Sequence, residues 1–295
     1  LVGSEMCIRD RWPVLSAEIL KPRMNGTLRL GNLLIIRNYE GNLVLDGSKP
    51  GMPIQLNGEV FINGDLIIKG TYTGVGTIYA KNVYVVDDLI AAKSPFPFDI
   101  DPAKAQQQAI QAIANKSDGL YLGALNQVLI GNYYANLGSS CGVTCVNSLP
   151  YNNPTPANPW ITQANFENLG RPATLMKDVN GVARRVAGTH FEPDSTDPRA
   201  RMEVDRVDAF IYAQNNLAWY VYANILLNGG FMAPYSVVLS AIPYHITRNG
   251  ANAGINWAVN PRNGMPVNEN VIRYDYRLRV GGAGFETIKS YFDQN

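Results

Sequence analysis

Charge is scarce in this sequence. Asp, Glu, Lys and Arg together make up 17% of its 295 residues, below the quarter or so of a typical domain. The 25 basic and 24 acidic residues nearly cancel, leaving a net charge of +1. Nucleic-acid-binding surfaces need a basic excess, so that class of function is excluded, and long-range electrostatic steering goes with it. There are only two histidines, His190 and His245, and three cysteines. A zinc site wants several such ligands close together, and no Cys or His lies between Cys145 and His190. Long apolar runs are missing too. Ala209–Leu227 comes closest, but Gln214, Asn215, Asn216 and Asn224 interrupt it, short of the ~18 unbroken apolar residues that span a bilayer.

What the chain does have is apolar and turn-forming residues. Hydrophobic residues are 46%, with 27 Gly, 18 Pro and 16 Tyr. That balance fits a β-rich, extracytoplasmic protein with a substantial core. The organising stretch is Asn57–Ala92, where short apolar bursts begin near Val60, Leu66, Ile78, Val83 and Leu89. The spacing is close to six residues or a multiple of it, with Gly, Asn and Asp between. Short strands separated by corners are the signature of a parallel β-solenoid, and Gly and Asn suit corners because they tolerate positive φ. The same character begins near Asn25: Thr27–Leu30, Leu33–Ile36 and Leu43–Leu45 read as strands, and Ile54, Val60 and Leu66 recur at the interval of six. Residues 25–92 are therefore expected to form one continuous solenoid segment, with runs such as Leu-Leu-Ile-Ile covered on both faces.

Ser94–Pro102 carries three prolines before the helix signal of Asp101-Pro102, a capping side chain followed by proline at the first helical position. A helix is expected over 102–116, with Ala105, Ala109, Ala112 and Ile113 on a narrow apolar face beside Ile110, and Gly119 just past its end. It would cap an open end of the solenoid or lie along its side. β character returns at Leu120–Asn132. Tyr133–Pro159 is a polar Asn, Pro, Ser and Gly stretch, and residues 133–203 are read as a loop insertion. Strands are expected at Val204–Tyr212, Ala223–Met232, Val237–Ile246 and Val271–Val280, with strand preferred to helix over 207–228. Arg273–Leu278 alternates and reads as a half-exposed strand. The expected architecture is mainly β: a right-handed parallel β-helix, or solenoid, in one domain over residues 12–295, with one inserted or capping α-helix and long loops.

Two resemblances add to this reading. Leu1–Arg11 resembles translated sequencing-adaptor read-through and is set aside as an artefact, so Cys7 carries no meaning and the natural N-terminus is expected upstream. Glu59–Ala91 resembles the repeats of bactofilin-like, polymer-forming β-solenoids. Gly76–Val85, Leu120–Asn132, Val207–Ala213, Leu227–Phe231 and Tyr274–Leu278 also look like pieces that recur in that order in exported, PilX-like proteins linked to type IV pilus assembly. The resemblance implies a bacterial cell-surface or pilus-associated structural protein with no known catalysis and with protein partners in a surface assembly. The hydrophobic pilin-type helix of such proteins does not occur in this sequence.

Local chemistry is sparse. Cys141 and Cys145 flank Gly-Val-Thr in a flexible loop, and an oxidising compartment would join them in a small-loop disulfide. Gly138–Gly142 matches the Gly-x-Ser-x-Gly pattern around Ser140, but a nucleophile elbow needs a strand before it and a helix after it, and neither is signalled. The two histidines are read as structural or exposed, and no catalytic residue is assigned. Glu192, Asp194 and Asp197 could supply oxygen ligands to calcium. With Glu203, Asp205 and Asp208 they are better read as a solvated face, neutralised by Arg199, Arg201 and Arg206. Asp87-Asp88 is the obvious carboxylate pair for glycan cleavage, yet adjacent strand residues face opposite ways, so a corner is the better reading. Tyr133, Tyr134 and Tyr151 are expected to be exposed ligand contacts, whereas Trp219 and Tyr222 are read as packing residues. The leading expectation is thus a non-enzymatic structural or adhesive surface protein without a cofactor. The alternatives are a secreted polysaccharide lyase or hydrolase, using Asp87, Asp88, Glu192 and Asp194, and a glycan-binding module.

Overall fold

The computed structural model describes residues 14–131, 174–177, 183–186, 204, 206–221, 225–233, 236–241, 246–248, 251–253, 271–281, 284 and 286. The protein is mainly β. In chain order, a short helix α1 (Ala17–Leu20) leads through a 3-10 turn (Lys21–Arg23) to β1 (Thr27–Leu30), β2 (Leu33–Ile36), β3 (Asn38–Glu40), β4 (Leu43–Gly47) and β5 (Ile54–Ala91). Helix α2 (Pro102–Ala114) and β6 (Gly119–Gly131) follow. The remainder comprises β7 (Thr174–Lys177), β8 (Ala183–Val186), β9 (Arg206–Ala213), β10 (Asn216–Val221), β11 (Leu226–Met232), β12 (Ser236–Ala241), β13 (Ile246–Arg248), β14 (Ala251–Ala253) and β15 (Val271–Tyr274), and a 3-10 turn at Tyr276–Leu278 closes the series. The strand reading of 207–228 therefore holds for its described residues.

β5 is 38 residues long. Straight, at about 3.3 Å per residue, it would extend well over 100 Å, yet it changes partner every few residues. Residues 55–57 pair with β1, 61–63 with β3, 66–70 with β4, 75–85 with β6, and Leu89 with β9. Runs of aligned parallel pairings result. Val44 aligns with Ile67 and Tyr39 with Ile62. Leu89 aligns with Val207, Val207 with Leu227 and Leu227 with Ile272. Val83 aligns with Val128, Val128 with Leu217 and Leu217 with Val237. Ile78 aligns with Leu122, Leu122 with Ile211 and Ile211 with Phe231. Parallel partners cannot be joined by tight turns, so each ladder is assembled from segments far apart in sequence. Leu28, Ile54, Val60, Ile68, Ile78, Val83, Leu122, Val128, Val207, Ile211 and Leu227 all lie in one core cluster with no measurable exposure. Residues of the apolar bursts seen in the sequence fall in this cluster.

The expectation of one parallel segment from Asn25 needs correcting. β1 and β2 form an antiparallel hairpin, and β1 also runs antiparallel to β5. Parallel pairing begins only with β3, at Asn38. The cause is the tight Gly31-Asn32 connection, where Gly31 sits at φ 55°. Two residues can join antiparallel neighbours but not parallel ones. A second, aromatic cluster is formed by Phe61, Tyr79, Tyr121 and Tyr212 together with Leu15, Leu20 and Met24 from the N-terminal segment. Within the expected 133–203 insertion, β7 and β8 form a separate antiparallel pair.

Helix α2 starts as expected: Asp101 Oδ1 accepts from the backbone N–H of Ala103 at 2.8 Å and of Lys104 at 3.4 Å. Its end differs. The helix stops at Ala114, and Lys116, at φ 52°, takes the left-handed position. The Lys116 N–H donates to Ile113 O and the Ser117 N–H to Ala112 O, which is a Schellman cap built without glycine. Gly119 instead opens β6. Ala105, Ala109 and Ala112 are buried as expected, but Ile110 and Ile113 are exposed. The helix packs beside the Tyr276–Leu278 turn. Among the described residues no helix is long and apolar enough to cross a membrane.

Candidate functional site

A half-open cleft of about 320 Å³ lies among the described residues. Leu56 and Asn57 of β5 form one wall, and Ile113, Lys116 and Ser117 at the end of α2 form the other; Gly74 and Val75 lie between, with Tyr121 and Arg277 also lining it. At Gly74 the backbone of β5 passes close to Leu56. The Gly74 φ is 88°, and a Cβ there would collide with the carbonyl oxygen of Leu56.

The base of the cleft is rigid. Asp275, directly after β15, accepts the Arg277 N–H at 3.0 Å and binds its guanidinium through Nε at 2.9 Å and Nη2 at 2.7 Å. Arg277 Nη1 donates to the carbonyls of Ser117 and Asp118, and the Tyr121 hydroxyl reaches Asp275 at 3.5 Å. Both charged side chains are about 95% buried. Burial works against the Arg277 charge, but the hydrogen bonds and charge of Asp275 outweigh it and raise its pKa. Burial, reinforced by Asp275, pushes the Tyr121 phenol up as well. Next to this pair, Asp118 accepts the N–H of Gly74 at 2.7 Å and of Lys93 at 2.6 Å. This cluster overturns the half-exposed strand expected over Arg273–Leu278: the strand ends at Tyr274, and Asp275 and Arg277 point inward as a pair.

A second buried network involves Asp208. Arg206 grips it through Nε at 2.8 Å and Nη2 at 2.7 Å, Asn228 Nδ2 donates to it at 2.6 Å, and the N–H of Ala91 adds a bond at 3.2 Å. The Tyr72 hydroxyl donates to the Asp208 carbonyl at 2.5 Å. Burial and the nearby Asp208 charge raise the Tyr72 pKa well above its usual value. The Asp208 hydrogen bond is the main influence on Arg206, raising its pKa against the effect of burial. Asp208 was expected on a solvated acidic face; it is instead completely buried. The register sets it beside Asn228 and Asn228 beside Arg273.

Of the other residues singled out from sequence, Asp87 and Asp88 lie within β5, between the residues paired with β6 and the one paired with β9. Asp87 Oδ1 accepts the Asp88 N–H at 2.8 Å, and Asp88 Oδ1 accepts the Arg206 N–H at 2.9 Å. Both carboxylates hold backbone. Cys7, Cys141, Cys145, Ser140, Tyr133, Tyr134, Tyr151, Glu192, Asp194, Asp197, Glu203, Asp205, His190 and His245 lie outside the described residues. Among the described residues no group of three or more His, Cys, Asp or Glu could hold a metal ion. The sequence names Arg206 as a neutralising partner of the acidic group that holds Asp208, but it does not single out the Asp275–Arg277 pair. Arg206 and Asp208, two residues apart on β9, lie on the same face of the strand, so that pair can neutralise itself and be buried.

No protein family, curated protein or solved structure matches the chain.

Proposed function

We propose that this is a non-enzymatic structural or adhesive protein of the cell surface, built as a right-handed parallel β-helix. The reading is carried by one observation: parallel register links β5, β6, β9 and β11 across distant parts of the chain. The parallel ladders would be the faces of the helix. The polar side chains support the reading. Asn25 and Asn42 each accept a backbone N–H from a neighbouring layer, of Glu59 and Asp65, and Asp88 and Asp118 do the same. Carboxylates engaged in this way stabilise a scaffold. Fractionation of producing cells, with surface protease accessibility and negative-stain imaging, tests the reading. An elongated particle on the cell surface or co-purifying with pili is expected. A compact particle found only in the cytoplasm would overturn it.

A glycan-binding role is a second reading, favoured by a strip of edge-to-face aromatic rings. Phe96 and Phe98 are 5.2 Å apart, Phe98 and Tyr276 6.1 Å, and Tyr276 and Tyr274 5.4 Å. Tyr274 is 44% exposed, and exposed aromatic rings offer faces for partners to stack on. A glycan array tests it: hits reduced by Tyr274→Ala support the strip, and an array without hits removes this reading.

A further inference from the structure

We infer that the cleft between β5 and the end of α2 binds a small organic monocarboxylate with a short apolar body, a capacity separate from the structural role above. Leu56, Val75 and Ile113 supply apolar walls, and Ile113 is 40% exposed, although its place near the end of an amphipathic helix would ordinarily bury it. The volume of about 320 Å³ lies at the lower end of the range for small-molecule sites, roughly 300 Å³ and upward.

The charge of the ligand follows from which polar groups are already engaged. Arg277 is neutralised by Asp275. Asp118 holds two backbone N–H groups. Glu286, whose charge acts on Tyr121, accepts the Gly284 N–H at 3.0 Å. The Lys116 ammonium, by contrast, makes no ion pair among the described residues. Nor do the Asn57 amide and the Ser117 hydroxyl make a side-chain hydrogen bond there. All three can donate, and together they suit the two oxygens of a carboxylate. The Schellman cap fixes the backbone of Lys116 where this residue lines the cleft.

The test is a titration of the full chain with hexanoate, followed by amide chemical shifts. Saturable shifts are expected at Gly74, Val75, Lys116 and Ser117. Hexan-1-ol should bind at least about threefold more weakly, the size of effect expected for one partly exposed charge pair, and hexylammonium should not shift these amides. Lys116→Asn keeps a residue that tolerates the left-handed backbone and should weaken hexanoate binding by a similar factor, while Lys116→Arg should retain it. The proposal is overturned if hexanoate gives no saturable shifts, if hexan-1-ol or hexylammonium binds as well as hexanoate, or if Lys116→Asn binds hexanoate unchanged.

Discussion

At the scale of single residues, buried polar side chains do much of the joining. The Asp275–Arg277 pair ties the end of β15 to the start of β6. Removing one member of a buried pair leaves an uncompensated charge, at a cost of about 3–5 kcal/mol. Arg277→Met and Asp275→Asn are each expected to destabilise the protein by about that much in urea unfolding. The double variant should lose clearly less than the sum, because the two residues act as one unit. Asp46 behaves differently. Desolvation pushes its pKa up, but the hydrogen bond from Lys69, at 2.8 Å, and the bonds from Ser48 more than offset this and leave it lowered. A carboxylate with a lowered folded-state pKa contributes stability that is complete above its unfolded pKa and is lost as pH falls through the folded one. The stability gap between the wild-type protein and Asp46→Asn is therefore expected at neutral pH and should close below about pH 4. Unfolding curves at several pH values check the sign.

At the scale of elements, α2 and the corners show what could be read from sequence and what could not. The start of α2 was legible because Asp101-Pro102 states its capping chemistry locally. Its end was not, because Lys116 adopts a left-handed conformation that composition does not favour, while the nearby Gly119 serves as the first residue of a strand. Asp101→Ala should cost about 1 kcal/mol, the usual value of an N-cap, with thermal unfolding as the measure. Ile110→Lys should change stability by less than about 0.5 kcal/mol, because Ile110 is 54% exposed; a large loss would mean that α2 packs on a different face. At the corners, sequence correctly marked Asn, Asp and Gly but assigned Asn the wrong reason. Asn25 and Asn42 act as acceptors for the next layer, whereas positive φ falls to glycines such as Gly58, Gly70 and Gly74 and to Arg37 and Lys116. Gly74→Ala, with a strained φ and a collision against Leu56 O, is expected to be among the most destabilising single-methyl additions in the protein. Because Gly74 also lines the cleft, that substitution would disturb the hexanoate site as well.

At the scale of the whole molecule, the β class was legible because apolar bursts of a few residues, separated by turn formers, recur throughout. Partnership between distant segments was not. Nothing local to Leu122 states that it lies between Ile78 and Ile211, and the antiparallel start of the sheet followed from a single two-residue turn. The Asp275–Arg277 network was hidden for a similar reason: nothing local to Arg277 states that it reaches the carbonyls of Ser117 and Asp118. The central claim is that strands distant in sequence pair in parallel register. Amide–amide nuclear Overhauser effects in the deuterated protein test it most directly. The account predicts cross-peaks linking residues 75–80 to 119–124, and 121–124 to 210–213, running in the same direction along each pair. Cross-peaks joining only sequence neighbours in antiparallel hairpins beyond β1 and β2 would contradict it.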